Sequence, residues 1–199
     1  AATVLEEDER RRQLRGHGDQ AIRHGANVER TPAAGYIAPM ATNVPSPGER
    51  IRRTWRRLAP LPGGKALFSR LIGWMAPYSN TIHARVLELE PGYAKLAMRD
   101  RHGVRNHLNS VHAVALANLA ELSSGLAMLA GLPATARGIP IGLSVTYVKK
   151  ARGPLTAECR CTLPDFSRDL EFEVTARITD AGGDVVATAT VRWKLGPIP

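Results

Sequence analysis

The chain has 199 residues, 44% of them hydrophobic but only 5% aromatic, which suits one aliphatic core with an appendage. Its net charge of +9 is local: residues 1–48 carry six basic and six acidic groups, residues 49–70 seven and one, and residues 71–199 fourteen and eleven. That distribution excludes a domain basic throughout, as a dedicated nucleic-acid binder would be, and no apolar run reaches the roughly 20 residues of a membrane span.

Residues 1–48 read as a disordered tail or extension. Leu5 to Leu14 suits a short charged helix, after which Pro32, Pro39, Pro45 and Pro47 break any periodicity. Met40 opens MATNVPSPGER and is a candidate natural start, with what precedes it an extension. No secretory signal opens the chain, and six acidic residues argue against a transit peptide.

Residues 49–78 form a basic helical segment. Glu49 to Leu58 places Ile51, Trp55 and Leu58 at helical spacing among Arg50, Arg52, Arg53, Arg56 and Arg57. Pro60, Pro62, Gly63 and Gly64 break it. A second helix, Lys65 to Met75, carries Leu67, Phe68, Leu71, Ile72 and Met75, and Pro77 ends it. The first helix suits a layer packed on the main domain with a solvated arginine face. A basic amphipathic helix also suits an acidic partner or weak membrane-surface contact through 49–58, and less well nucleic acid, which is not an expected partner.

The main domain is expected over residues 79–196. Thr81 to Glu90 alternates apart from an inserted Leu87, Pro91-Gly92 turns, and Tyr93 to Arg99 pairs back as a hairpin. Asp100 to Asn109 is a polar loop. The run that follows becomes a helix of about five turns, stopped by Gly131 and Pro133. Four strands are expected after it, over 139–149, 155–163, 169–179 and 184–195, closing the sheet as an antiparallel meander. Cys159 and Cys161, two apart on one strand face, read as reduced thiols in a reducing, cytoplasmic compartment rather than as a disulfide or half of a metal site.

Within the long helix, Ala113 to Ala130 contains one charge, Glu121. An unpaired buried carboxylate costs several kcal/mol or takes up a proton, so Glu121 is either paired or stands at a cavity that uses it. A helix apolar on nearly all sides needs cover on nearly all sides. An α+β domain meets that need when an antiparallel sheet of about six strands wraps around one long central helix and a second copy covers the remaining side. That is the hotdog fold, here with an N-terminal helical extension.

The stretch NHLNSVHAVALANLAE, Asn106 to Glu121, resembles the motif of hotdog acyl-CoA thioesterases of the phenylacetate-pathway type. Those enzymes carry Asn, then His-Gly six and seven residues on, then an acid eight residues after the Gly. Asn106, His112, Ala113 and Glu121 stand at those spacings, and the resemblance covers about residues 79–195. It is nearest to a related hotdog branch described only as a domain of unknown function.

The resemblance implies hydrolysis of acyl-CoA or related thioesters in a homodimer or tetramer, with no cofactor beyond the coenzyme A moiety of the substrate and no metal. His112 and Glu121 lie about 13.5 Å apart along one helix and face opposite sides. If both act on one substrate, Glu121 must come from a second chain whose helix runs antiparallel. The resemblance implies such a composite site. The Ala113 N–H at the helix start would polarise the thioester carbonyl, Asn106 would orient water or thioester, Glu121 would act as base or nucleophile, and His112 would brace the loop. Lys149, Lys150 and Arg152, after the strand IGLSVTYV, are candidates for the coenzyme A phosphates, with Arg101 and Arg105 behind them.

The sequence departs from the family at four points. Ala113 replaces Gly, Val114 replaces a second small residue, Glu121 replaces the commoner Asp, and the Ser or Thr often found on the next strand falls near Pro140, with Ser144 the nearest hydroxyl. A non-catalytic acyl or acyl-CoA binding module is therefore the second reading, and the Asp-then-His pattern of hotdog dehydratases is not found.

Overall fold

The computed structural model describes residues 46–198. The expectations for residues 1–45, namely the Leu5–Leu14 helix, the proline-broken stretch and a start at Met40, lie outside the described residues. Two helices come first, α1 (Pro47–Leu58) and α2 (Gly64–Met75). A hairpin of β1 (Arg85–Glu90) and β2 (Tyr93–Met98) follows, then the central helix α3 (Ala113–Gly131). The chain ends in β3 (Ala136–Tyr147), β4 (Leu155–Arg160), β5 (Leu170–Thr179) and β6 (Val185–Pro197). One six-stranded antiparallel sheet wraps α3, and this is the hotdog fold.

The helix starts are chemically specified. Ser46 Oγ accepts a hydrogen bond from Glu49 N at 3.1 Å, and Pro47 occupies the first turn, where a missing N–H costs nothing. Helix α1 thus begins two residues before the expected Glu49. Its apolar side goes to the core: Ile51 is buried, Trp55 and Leu58 pack on it, and Trp55 meets Phe68 of α2 edge-on at 5.0 Å. Gly48 lies so close to the end of α3 that a Cβ there would fall 2.2 Å from the Leu129 carbonyl oxygen. Arg52 donates to the Ala130 carbonyl, satisfying an orphan acceptor at the negative end of the α3 dipole. Arg50, Arg53, Arg56 and Arg57 remain exposed.

Helix α2 divides its apolar residues differently from the expectation. Phe68 and Ile72 are buried, whereas Leu67, Leu71 and Met75 are exposed together with Trp74. The strand expected from Thr81 starts only at Arg85. Ser79–Ile82 forms a 3-10 turn, because Thr81 bonds back to the Tyr78 carbonyl through both its N–H and its Oγ1, and His83 takes a left-handed conformation at φ 48°. Leu87 is the bulge that its break in alternation signalled: the register shifts between Val86 and Glu88. Lys65 of α2 donates to the Leu87 carbonyl at 2.6 Å.

The expected meander is the main correction. The strand order is β1-β2-β4-β5-β6-β3, so β3 does not neighbour β4 and β6 is not an edge. Strand length accounts for the pairing. The 12-residue β3 pairs with the 13-residue β6, from Ala136↔Pro197 to Tyr147↔Ala187. The six-residue β4 matches the six-residue β2, from Tyr93↔Arg160 to Met98↔Leu155. Helix α3 carries the chain from β2 to the far edge strand β3, and the 148–154 loop brings it back to β4 beside β2.

Helix α3 has 19 residues and by length and composition alone would suffice to cross a membrane, yet 67% of its most apolar window is buried inside the fold. Leu116, Leu119, Leu126 and Met128 face strand residues such as Ala94, Ile178, Ala187 and Val191 in one aliphatic core. The helix is therefore spent on the domain interior. Cys159 and Cys161 are free thiols, and burial pushes Cys159 up to about 12, so it stays neutral at ordinary pH.

Candidate active site

The N-terminus of α3 is built by the loop before it. Asn106 accepts from Leu108 N at 3.0 Å, from Ser110 N at 3.2 Å and from Ser110 Oγ at 3.1 Å, all through its amide oxygen. That is an Asx turn, and it leaves the amide N–H₂ as the end able to reach a ligand. Val111 N donates to Ala151 O and His112 N to Val104 O, both at 2.8 Å, which seats the loop on its neighbours. His112 is the N-cap: its Nδ1 accepts from Val114 N at 3.1 Å. Ala115 N and Leu116 N bond to the His112 carbonyl. Among the described residues, the Ala113 N–H is thus left without an acceptor at the positive end of the helix.

A cavity of about 190 Å³ opens beside it, lined by Thr81, Ile82, Arg105, His112, Ala115 and Asn118 among others, with neither Asn106 nor Ala113 in its lining. Asn118 was missed in the sequence. It is a buried polar side chain one turn into α3, and its Nδ2 reaches the Tyr78 carbonyl and Thr81 Oγ1, each at 3.4 Å. Its sequence signal is an amide in an otherwise apolar run, three residues before the lone charge.

Asp100 was missed too. Arg105 Nε donates to it at 2.6 Å and Gly153 N at 2.9 Å, so one carboxylate ties the 100–109 loop to the 148–154 loop. Its side chain is 8% exposed. The hydrogen bond from Arg105 holds the Asp100 carboxyl below the usual carboxylate value, and the Gly153 N–H adds to this. A depressed folded pKa means that the stabilisation is present above the unfolded value and is lost as pH falls through the folded one. Asp100→Asn should therefore cost about 1–3 kcal/mol at pH 7, from the loss of hydrogen bonds to a charged group. Urea melts across the acid range should show the gap to wild type closing as pH falls. A pH-independent gap would sink this account.

Glu121 stands apart from these groups. It lies two turns and more along α3, does not line the cavity at His112, and makes no hydrogen bond or ion pair through its carboxylate among the described residues. Burial alone raises its pKa. Gly125, one turn on, leaves room for it: a Cβ there would lie 3.9 Å from Glu121 Oε1 and 3.7 Å from the edge of the Trp193 ring. Trp193 is buried, and its indole N–H makes no hydrogen bond among the described residues. Val114, Ala117 and Glu121 form the least covered stripe of α3. Arg105 is engaged with Asp100 and with Asn109 Oδ1, at 2.6 Å and 3.0 Å, and does not meet Glu121 within the chain.

Beside that stripe runs β3, an edge strand. Leu143, Val145 and Tyr147 lie opposite the core residues Val191, Ala189 and Ala187 and so share their face, yet Leu143 and Tyr147 are 45% and 49% exposed. Tyr147 donates to the Ala113 carbonyl at 3.2 Å, which ties this face to the start of α3. Ser144 lies opposite Thr190, on the other face from Leu143. Of the candidate phosphate-binding residues, Lys149 is held by Asp180 at 2.8 Å and Asp184 at 2.6 Å, first Asp180 and then Asp184 raising its pKa. Lys150 and Arg152 are exposed and make no ion pair among the described residues. Within the described residues no group of three His, Cys, Asp or Glu side chains is placed to hold a metal ion.

Comparison with known proteins adds to this geometry. The model of a family described as a domain of unknown function, DUF4442, matches residues 64–195. A crystal structure from structural genomics is 31% identical, with a TM-score of 0.66, covering 75% of this chain and 99% of its own. A Pseudomonas aeruginosa protein of unknown function described as a probable thioesterase is 26% identical, with a TM-score of 0.59, covering 69% of this chain and 97% of its own. A thioesterase family protein from Silicibacter pomeroyi, 18% identical with a TM-score of 0.57, covers 65% of this chain and 96% of its own and shares the fold. No curated protein matches the chain.

Proposed function

The chain belongs to the DUF4442 family, and from that premise we propose that it hydrolyses acyl-CoA or related acyl thioesters at a site shared by two copies. The observation that carries this reading is Glu121. It is a half-buried carboxylate without a partner on the least covered stripe of α3, about 12 Å along the helix from an unpaired amide at Ala113. Antiparallel pairing of two α3 helices would bring the Glu121 of one copy to the Ala113 end of the other. The exposed apolar edge of β3 supplies a surface for that pairing. The P. aeruginosa relative described as a probable thioesterase supports the reaction class.

In this reading the thioester carbonyl oxygen accepts from Ala113 N–H, at the positive end of α3. Glu121, its pKa raised by burial, takes a proton from water as the water oxygen bonds to the carbonyl carbon. The tetrahedral oxyanion then collapses, the carbon–sulfur bond breaks, and the leaving thiolate takes the proton back from Glu121. Asn106 contributes its amide N–H₂, because its oxygen is committed to the loop. His112 holds the cap and fixes the helix start. Lys150 and Arg152 remain available to the carrier phosphates.

The second reading, a non-catalytic acyl-CoA binding module, is favoured by one observation: the methyl of Ala113 where the thioesterases its motif resembles carry Gly. Thiol release from a panel of acyl-CoAs decides between them. We expect release by wild type and a loss of roughly tenfold or more in Asn106→Ala. Acyl-CoA binding without release by wild type would replace hydrolysis with the binding-module reading.

A further inference from the structure

Four arginines line a second, larger cavity that the chemistry above does not use. It measures about 610 Å³ and lies between α2, the Ser79–Ile82 turn and the β1–β2 hairpin. Arg70 comes from α2, Arg85 from the start of β1, and Arg99 and Arg101 from just beyond β2, with His83 beside them. No Asp or Glu is among the lining residues, and none of the four arginines makes an ion pair among the described residues.

The register explains the convergence. Arg85 lies opposite Ala97, so Arg99, two residues on, is its diagonal neighbour on the same face. Arg70 is carried by α2, which also lines the cavity. Arg101 is pinned by donating to the Thr81 carbonyl, and its Nε is buried without a hydrogen-bond partner. Like charges gathered in one concave, partly apolar space raise the local potential and favour an anion there. The guanidinium fork matches phosphate oxygens two at a time, and the volume falls within the range of about 300–1,000 Å³ usual for small-ligand sites.

We infer that this cavity is a phosphate site and that, resting on the thioesterase reading, it takes the nucleotide end of the coenzyme A carrier. Two further observations favour that ligand. Ile82 borders both this cavity and the smaller one at His112, and Arg101, which lines the larger, holds the carbonyl of Thr81, which lines the smaller. The larger cavity and the one beside the start of α3 therefore lie on two sides of a single short segment, which suits the phosphate and thioester ends of one extended carrier. Pro154 also lines the larger cavity, bringing the loop that carries Lys150 and Arg152 to its rim. Apolar Ala66 and Ala97, neither of them buried, offer a surface for the face of a purine.

Calorimetric titration of the whole chain with adenosine 3′,5′-bisphosphate tests the site without relying on turnover. We expect binding that weakens with salt and falls roughly tenfold or more for each of Arg70→Ala, Arg85→Ala and Arg99→Ala, all exposed side chains whose loss spares the fold. In kinetics, KM for acyl-CoA should rise in the same variants, and the preference for acyl-CoA over acyl-pantetheine should narrow toward unity. Bisphosphate binding that is absent, or equal in wild type and the Arg85→Ala/Arg99→Ala double variant, overturns the inference. Arginine-dependent binding of phosphatidylglycerol vesicles in place of the bisphosphate overturns it in favour of a lipid headgroup. Inorganic phosphate binding as tightly as the bisphosphate overturns the carrier assignment. Arginine-dependent bisphosphate binding by a protein that hydrolyses no thioester upholds the phosphate site while removing the thioesterase reading.

Discussion

Glu121→Gln is expected to lower kcat for thioester hydrolysis by roughly one hundred- to ten thousand-fold, the usual contribution of a positioned general base. It should also raise the melting temperature at neutral pH. Both effects come from one cause. Burial raises the Glu121 pKa, so the folded chain holds that proton more tightly than the unfolded chain. A raised folded pKa means that stability is full below the unfolded carboxylate value and is lost as pH rises through the folded one. The amide of Gln keeps the shape and carries no charge at any pH. The melting-temperature gap between variant and wild type should therefore open from acid to neutral pH and be absent at the acid end. Thermal melts across that range and a thiol-release assay give both readouts. Full turnover by the variant would remove Glu121 from the chemistry. A gap that does not change with pH would show that its carboxylate is not strained by burial.

Leu143→Arg is expected to separate the copies and to take hydrolysis away with them. Leu143 sits on the edge strand, facing the same way as the buried Val191 yet 45% exposed, in a row with Tyr147 at the start of α3. A long apolar edge of this kind is a surface awaiting a partner. A charge placed at its centre should cost about 2–4 kcal/mol of association, at least thirtyfold in the dimer dissociation constant. Because Ala113 and Glu121 of one chain stand too far apart to share a substrate, turnover should fall in step with dissociation. Analytical ultracentrifugation beside thiol release checks this. A Leu143→Arg monomer with wild-type turnover would overturn the composite site, and a dimer that survives the change would move the interface elsewhere. Leu143→Ala, which removes area without adding charge, should lie between the two.

These expectations draw on different depths of the sequence. The central helix was legible because 18 residues with one charge leave few alternatives, and the motif spacing from Asn106 to Glu121 survives any error in strand order. The bulge at Leu87 was visible as a break in alternation. The groups around the site were less legible. Asp100 bonds Arg105, close in sequence, but also Gly153, which is 53 residues away, and no local pattern announces that second bond. The turn between β5 and β6 brings Asp180 and Asp184 against Lys149, a candidate carrier contact, and no local pattern announces that pairing.

By itself, the sequence determined most element types, the single helix that needs covering, and a set of candidate site residues, because periodicity, turn residues and a lone charge in an apolar run are local properties. Only the tertiary structure decided which strands are neighbours and which cations stand together. Strand order follows from matched lengths, β3 with β6 and β2 with β4, and that matching pairs residues far apart in sequence. The packing of α2 against the β1–β2 hairpin gathers Arg70, Arg85, Arg99 and Arg101, of which the sequence singled out Arg101 alone, into one cavity. Charge counts along the chain cannot reveal such a gathering, because potential adds up in space rather than in sequence.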